Sequence, residues 1–145
     1  MRLIIHAVTI KAPRHGVYEA LATRGGLAQW WTTDVTGDAV PGGTLALRFA
    51  DVFKPDMQVV ALDRDTAVRW RCVGGEQAWL DNAFSFDLTD DNGLTLLMFR
   101  QEYARELDDR AYGSFNYNWG HYLTSLKTLC ETGTGAPFEQ TAQRS

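Results

Sequence analysis

The groups in this chain that could act as bases, nucleophiles or metal ligands are three histidines, two cysteines and a few serines and carboxylates. Their spacing assembles no familiar catalytic constellation. No two histidines stand at i, i+4, and no Asp or Glu completes a ligand set beside one, so neither a bound metal nor a cofactor is expected. His121 lies roughly 140° from the apolar stripe of its helical pattern and should face solvent. His6 falls in the first strand on the face opposite Ile5, as a satisfied or edge histidine. His15 sits in the first turn of a short surface helix. Ser85, Ser114 and Ser125 lack a Gly-x-Ser-x-Gly setting, and Cys72 and Cys130 have neither a partner histidine nor CxxC spacing. Gly25-Gly26, Gly42-Gly43 and Gly74-Gly75 read as turns rather than phosphate cradles, because none links a strand to a long helix. Three carboxylates remain: Glu102 at a strand end, Asp87 in a hairpin and Asp81 near Trp79. At a cavity rim, burial would raise such a group toward acid or base work; in open solvent each is an ordinary surface charge.

A different pattern is more informative. At 100° per residue, Tyr112, Phe115, Trp119, Tyr122, Leu123, Leu126, Leu129 and Cys130 fall in one stripe roughly 120° wide, the width of a helix laid on a core. Four aromatics fill the first turns and leucines the last. Aliphatics suit a tight core, whereas a row of large rings suits a wider space, and the row points to a cavity at that end.

The rest of the chain reads mainly as strands. Arg2 to Ile10 is rich in Ile, Val and Thr. Pro13 stops that strand and opens a short helix, Arg14 to Ala22, which Gly25-Gly26 separates from a second, Leu27 to Thr32. Strands follow at Thr44 to Ala50, Met57 to Leu62, Ala67 to Val73, Ala83 to Thr89 and Leu94 to Gln101. The Asp90-Asp91-Asn92-Gly93 segment makes a hairpin turn between the last two. Leu94 to Gln101 is apolar on both faces, which predicts a central or doubly covered strand. The order predicts an α+β fold in which a curved antiparallel sheet of six to seven strands wraps around one long C-terminal helix. Residues 1–132 form the expected domain, and 133–145, with Gly, Pro, Thr and Gln, the expected flexible tail.

Composition narrows the function. A chain of 145 residues with 45% hydrophobic and 22% charged residues has the profile of one globular domain. Its net charge of -4 opposes a nucleic-acid footprint. Arg64, Arg69 and Arg71 are the nearest thing to a basic cluster, and alternation puts Arg69 and Arg71 on a solvated strand face. The N-terminal run Leu3 to Ile10 is too short to span a bilayer, and no membrane insertion is expected. Two unpaired cysteines suit a cytoplasmic protein in which both are buried, reduced and hydrophobic in role.

Several segments in series then carry a family likeness: Ala12-Pro13 with Val17-Tyr18-Glu19-Ala20-Leu21, Leu27-Ala28-Gln29-Trp30-Trp31, Pro41-Gly42-Gly43, and Trp119-Gly120-His121-Tyr122-Leu123 followed by Ser125-Leu126-Lys127 and the Gly133 to Phe138 stretch. In this order the chain resembles the helix-grip superfamily of START lipid-transfer domains and the birch pollen allergen Bet v 1. Within it, the chain is most similar to bacterial homologues of the activator of the heat-shock-protein-90 ATPase. It departs from the common pattern where Asn118 precedes Trp119, where Gly93-Leu94-Thr95 opens the last strand, and in the charged link Ala104 to Arg110.

The resemblance implies a cavity between sheet and helix that holds an apolar or amphipathic, lipid-like molecule. Phe115, Trp119 and Tyr122 form one expected wall and Trp70, Phe84, Phe86, Leu97 and Phe99 the other. Tyr112 and Arg100 are the expected polar contacts. Trp30 and Trp31 either pack the short helices on the sheet or cap the cavity. Two alternatives stay open: a cavity enzyme of the cyclase or hydrolase type using a rim carboxylate, and a co-chaperone-like interaction domain with a chaperone partner and a stress-response role. A homodimer through an exposed strand edge or the short helices is compatible with each.

Overall fold

The computed structural model describes residues 2–139. Its elements are β1 (Leu3–Ile10), α1 (Arg14–Ala22), α2 (Arg24–Trp30), β2 (Asp34–Gly37), β3 (Thr44–Arg48), β4 (Asp56–Asp63), β5 (Ala67–Gly74), a single 3₁₀ turn (Gln77–Trp79), β6 (Ala83–Asp91), β7 (Leu94–Glu102) and α3 (Asp109–Thr132). The strands form one seven-stranded sheet in the order β1-β7-β6-β5-β4-β3-β2. Every neighbouring pair is antiparallel. This is the helix-grip arrangement that the element order predicts.

Alternation decides what each strand buries. On β5, β6 and β7, Val68, Trp70, Cys72, Phe84, Phe86, Leu88, Leu97 and Phe99 are buried on the inner face, and Trp119, Leu123 and Leu126 of α3 are buried with them in the same core. The β6–β7 turn reaches positive φ at both Asn92 (53°) and Gly93 (87°), the geometry of a two-residue hairpin that keeps Asp91 opposite Leu94.

The long helix has 24 residues, about 36 Å at 1.5 Å per residue. It starts three residues before its apolar stripe because Asp108 caps it, accepting a hydrogen bond from the Ala111 amide at 2.8 Å. It ends at Gly133, whose φ of 90° lets its N–H reach the Leu129 carbonyl. Along its length α3 also closes the exposed edge of β1. Tyr112 donates its hydroxyl to the Leu3 carbonyl at 2.8 Å. Lys127 Nζ donates to the Thr9 carbonyl, and Glu131 accepts the Lys11 amide.

Two expectations change. Gly25 and Gly26 lie inside α2 rather than between the helices: a Cβ at Gly26 would stand 2.4 Å from the Glu19 carbonyl oxygen, so glycine here permits close helix packing. The segment from Gly133 to Phe138, expected as loose tail, returns to the body of the protein. Ala136 donates to Ser125 Oγ, and Phe138 exchanges backbone hydrogen bonds with Trp31 and Thr33 at 2.9 and 3.1 Å. The rest of that expected tail, 140–145, lies outside the described residues. The reading of Leu94 to Gln101 as a central strand holds, since β7 has a strand on each side, and its outer-face residues Leu94, Leu96 and Met98 are half-buried. Among the described residues no helix is long and apolar enough to cross a membrane.

Candidate functional site: an aromatic cleft at one end of the helix

The cleft grows from the turn between α1 and α2. Thr23 caps α2 through its Oγ1, which accepts from Gly26 N–H and donates to the Glu19 carbonyl. That bend places Trp30 against α1, where its indole N–H donates to the Ala20 carbonyl at 2.8 Å. Trp31 follows at the helix end and stacks between Trp30 and Trp70 of β5, with centroids 5.7 and 5.6 Å away and planes within 9° and 6° of parallel. It also meets Trp119 at 5.1 Å and Trp79 at 6.5 Å. All five tryptophans of the chain therefore belong to one connected cluster, with Trp31 at its centre.

The opposite side comes from the β3–β4 connection. Arg48 fastens its base, donating to the Leu47, Lys54 and Pro55 carbonyls and to the Asp56 carboxylate. The Phe49 amide donates to the Phe53 carbonyl at 2.8 Å, closing a tight clip in which Ala50 takes a φ of 55°. Phe53 then meets the edge of Trp79 at 4.6 Å, an edge-to-face pair. Phe138, held by its backbone bonds to Trp31 and Thr33, brings its ring 5.6 Å from Phe49.

Between these groups and α3 lies a cleft of about 390 Å³, within the size range of small-ligand sites. Its eleven lining residues are Trp31, Phe49, Val52, Phe53, Trp79, Phe115, Asn118, Trp119, His121, Tyr122 and Phe138. Eight of these are Trp, Phe or Tyr, and Asn118 and His121 supply polar edges. Burial pushes the Tyr122 hydroxyl above its ordinary pKa, so it stays protonated at neutral pH.

Of the residues singled out from sequence, Phe115, Trp119 and Tyr122 line this cleft, and Trp31 forms part of its wall. Trp70, Phe84, Phe86, Leu97 and Phe99 do face inward, but they lie beneath the cleft as closed core. The reason is Trp119, whose ring packs 4.3 Å from Phe99 and within 6.4 Å of Phe84 and Phe86, filling the space between sheet and helix. Tyr112 is spent on the Leu3 carbonyl and lies under the Arg2 guanidinium. Arg100 sits on the outer face of the sheet, its Nη1 3.9 Å from Asp87. The rim carboxylates are elsewhere too: Asp87 binds Arg69 at 2.8 Å, Asp81 faces Arg105, and Glu102 is exposed on the outer face. His6 Nε2 is 2.8 Å from Asn116 Oδ1 and His15 Nδ1 2.9 Å from Asp65. His121 is exposed, as its helical angle predicts, at the cleft mouth. Among the described residues no three His, Cys, Asp or Glu side chains gather as a metal site.

Phe49, Phe53, Trp79 and Phe138 escape sequence reasoning. Phe49 falls within the predicted strand Thr44 to Ala50, Phe138 in a segment read as tail, and Trp79 after the Gly74-Gly75 turn. The available clue is Val52-Phe53, two large apolar residues inside a connection where polar ones are usual.

A polar relay supports the cleft floor. Trp119 Nε1 donates to Gln101 Oε1 at 2.7 Å, and Gln101 Nε2 donates to Asn82 Oδ1 at 2.9 Å, with Gln101 and Asn82 both fully buried. Burial raises the Tyr103 hydroxyl well above its ordinary pKa, while Trp79 and Gln101 beside it pull the other way. Neither Tyr103 Oη nor Trp79 Nε1 has a hydrogen-bond partner of good geometry.

Comparison with known proteins accords with this architecture. No curated protein sequence matches the chain. The Aha1 dimer from Colwellia psychrerythraea, solved in solution, is 32% identical, with 93% of this chain and 100% of that one covered and a TM-score of 0.83. Protein MLL2253 from Mesorhizobium loti is 21% identical over 88% of this chain and 96% of that one, with a TM-score of 0.76. The allergen Ara h 8.0201 shares the fold at 13% identity, covering 89% and 97% of the two chains, with a TM-score of 0.71. The family model for activator of Hsp90 ATPase homolog 1-like proteins matches residues 11–131, from the end of β1 almost to the end of α3, and the chain belongs to that family.

Proposed function

We propose that this chain is a small-molecule binding module, a carrier or sensor that holds an apolar or amphipathic ligand in the aromatic cleft. The observation that carries the reading is the lining itself, eight Trp, Phe and Tyr side chains around about 390 Å³ with polar groups only at the edge. Such a site contributes ring stacking and apolar burial, and Asn118 and His121 would orient a polar end. With Asp81, Asp87 and Glu102 outside the lining, acid–base catalysis in the cleft would fall to His121 and the Tyr122 hydroxyl with no carboxylate beside them, and the binding reading is preferred to an enzyme.

Mass spectrometry of native protein, followed by denaturation and extraction, tests the reading. A lipophilic species near one per chain, depleted in Phe53→Ala, supports it. Phe53 is suited to the test because it sits in a connection and not in the buried core. A saturating ligand should also stabilise the fold by about 2.7 kcal/mol at a hundredfold excess over its dissociation constant. An empty protein that no apolar panel stabilises would sink the idea. The family description favours a second reading, an interaction domain with a chaperone partner, for which a chaperone pull-down that survives Phe53→Ala is the discriminating result. The Colwellia relative was solved as a dimer, and we extend homodimerisation to this chain.

A further inference from the structure

We infer that the outer face of the sheet is the surface on which a second copy of this chain packs, face to face, about a two-fold axis running along β6. This deepens the homodimer reading above. The β1 edge is unsuited to strand addition because α3 side chains already occupy the Leu3 and Thr9 carbonyls.

The outer face carries what a self-complementary interface needs. Ala83 and Ser85 of β6 make a shallow centre, in a groove of about 610 Å³ shared with Arg71, Arg100 and Glu102. Arg71 and Glu102 flank Ala83 from the two neighbouring strands, since the register pairs Ala83 with both. Neither has an ion-pair partner among the described residues. A two-fold axis along β6 turns left into right, so Arg71 of one copy meets Glu102 of the second copy, and the reverse contact repeats it. The same rotation brings Ile5, 49% exposed on β1, over Val60, 53% exposed on β4. Asp87, on the axis strand, holds Arg69 and Arg100 and screens their approach to the second copy. The covering also accounts for the apolar outer residues of β7, Leu96 and Met98, which the single chain leaves half-buried. Five strands at 4.8 Å spacing span roughly 19 Å, a patch suited to a modest, concentration-dependent interface.

Sedimentation equilibrium from low to high micromolar concentration tests this. Wild type should dimerise, Arg71→Glu and Glu102→Arg should each weaken the dimer about tenfold or more, and the double swap should restore it. Tyr117→Glu, on the exposed face of α3, should change nothing. Peroxide oxidation of Met98 in wild type gives a readout free of variants, slower in concentrated than in dilute protein. A wild-type monomer throughout the range refutes both the homodimer and this interface. A dimer that ignores the single swaps, that the double swap fails to restore, or that Tyr117→Glu dissociates, overturns the interface alone.

Discussion

The pair Trp119 and Gln101 is best probed as a double-mutant cycle, because each single change leaves a buried polar group alone and the double change removes two of those groups together. Trp119→Phe keeps a ring among Phe99, Phe84 and Phe86 but removes the N–H that serves Gln101 Oε1 at 2.7 Å. The orphaned acceptor costs about 1–3 kcal/mol, and the smaller ring about 1 kcal/mol of apolar burial. Gln101→Leu strands both the Trp119 N–H and Asn82 Oδ1, for about 2–5 kcal/mol. In the combined variant only Asn82 Oδ1 stays unserved. The double should therefore be less destabilised than the sum of the singles by at least about 2 kcal/mol, the two orphan costs that it avoids. Urea unfolding followed by far-UV circular dichroism is the suitable assay, since losing Trp119 alters the emission of a cluster holding every tryptophan of the chain. Additivity within about 0.5 kcal/mol would show that the two side chains are not coupled and that the relay under the cleft does not exist as described.

Other outcomes follow from local geometry. Gly26→Ala drives a methyl to within 2.4 Å of the Glu19 carbonyl and 2.6 Å of Ala20 Cα, so the helices must part; a loss of about 2 kcal/mol or more is expected in thermal unfolding, with a change in the emission of Trp30 and Trp31. The Lys11 amide and Lys127 hold the Glu131 carboxyl below its ordinary 4.5. A depressed carboxyl stabilises the fold above its unfolded value, and that contribution disappears as pH falls below 4.5 through the folded value; Glu131→Gln should flatten this acid limb of the urea midpoint. Burial pushes the Cys130 thiol up to about 11, so iodoacetamide at pH about 8 should modify it at least tenfold more slowly in the folded than in the unfolded chain. Equal rates would show Cys130 to be open to solvent.

Period and turn chemistry carried most of the fold. Alternation in Phe84, Phe86 and Leu88, the positive-φ pair Asn92-Gly93, and the helical stripe from Tyr112 to Cys130 each depend on neighbours in sequence, and each element stands where its pattern puts it. The α3 side of the cleft was legible for the same reason, since Phe115, Trp119 and Tyr122, three of its eleven lining residues, share one helix face. The remainder depends on packing between distant segments. Nothing near Phe138 announces that its backbone will pair with Trp31, more than a hundred residues away, and Phe53 lines the cleft because Arg48 ties down a connection of its own. Tyr112 and Arg100 show the converse. Residue type marked them as polar contacts, whereas a backbone carbonyl and a carboxylate on other surfaces already engage them. The caps at Asp108 and Gly133 extend α3 beyond its apolar stripe at both ends, because hydrogen bonding rather than burial sets helix termini.

The pairing of β1 has a consequence for synthesis. Its strand partner is β7, with Leu3 opposite Glu102, and its other edge is closed by residues of α3 still later in the chain. This strand precedes every other strand of the sheet in the chain and therefore waits for β7 and α3, which follow the rest of the sheet. At about 5 to 20 residues per second, the roughly one hundred residues between Leu3 and Glu102 take about 5 to 20 s to emerge. Throughout that interval Ile4 and Ile10, buried in the finished protein, have no sheet to join, and the segment Leu3–Ile10 is an apolar strand with both edges bare. The sheet can be zipped only from its β2–β6 side until β7 arrives, which makes closure of β1 a late, long-range event and the nascent chain a substrate for any factor that shields unpaired strands.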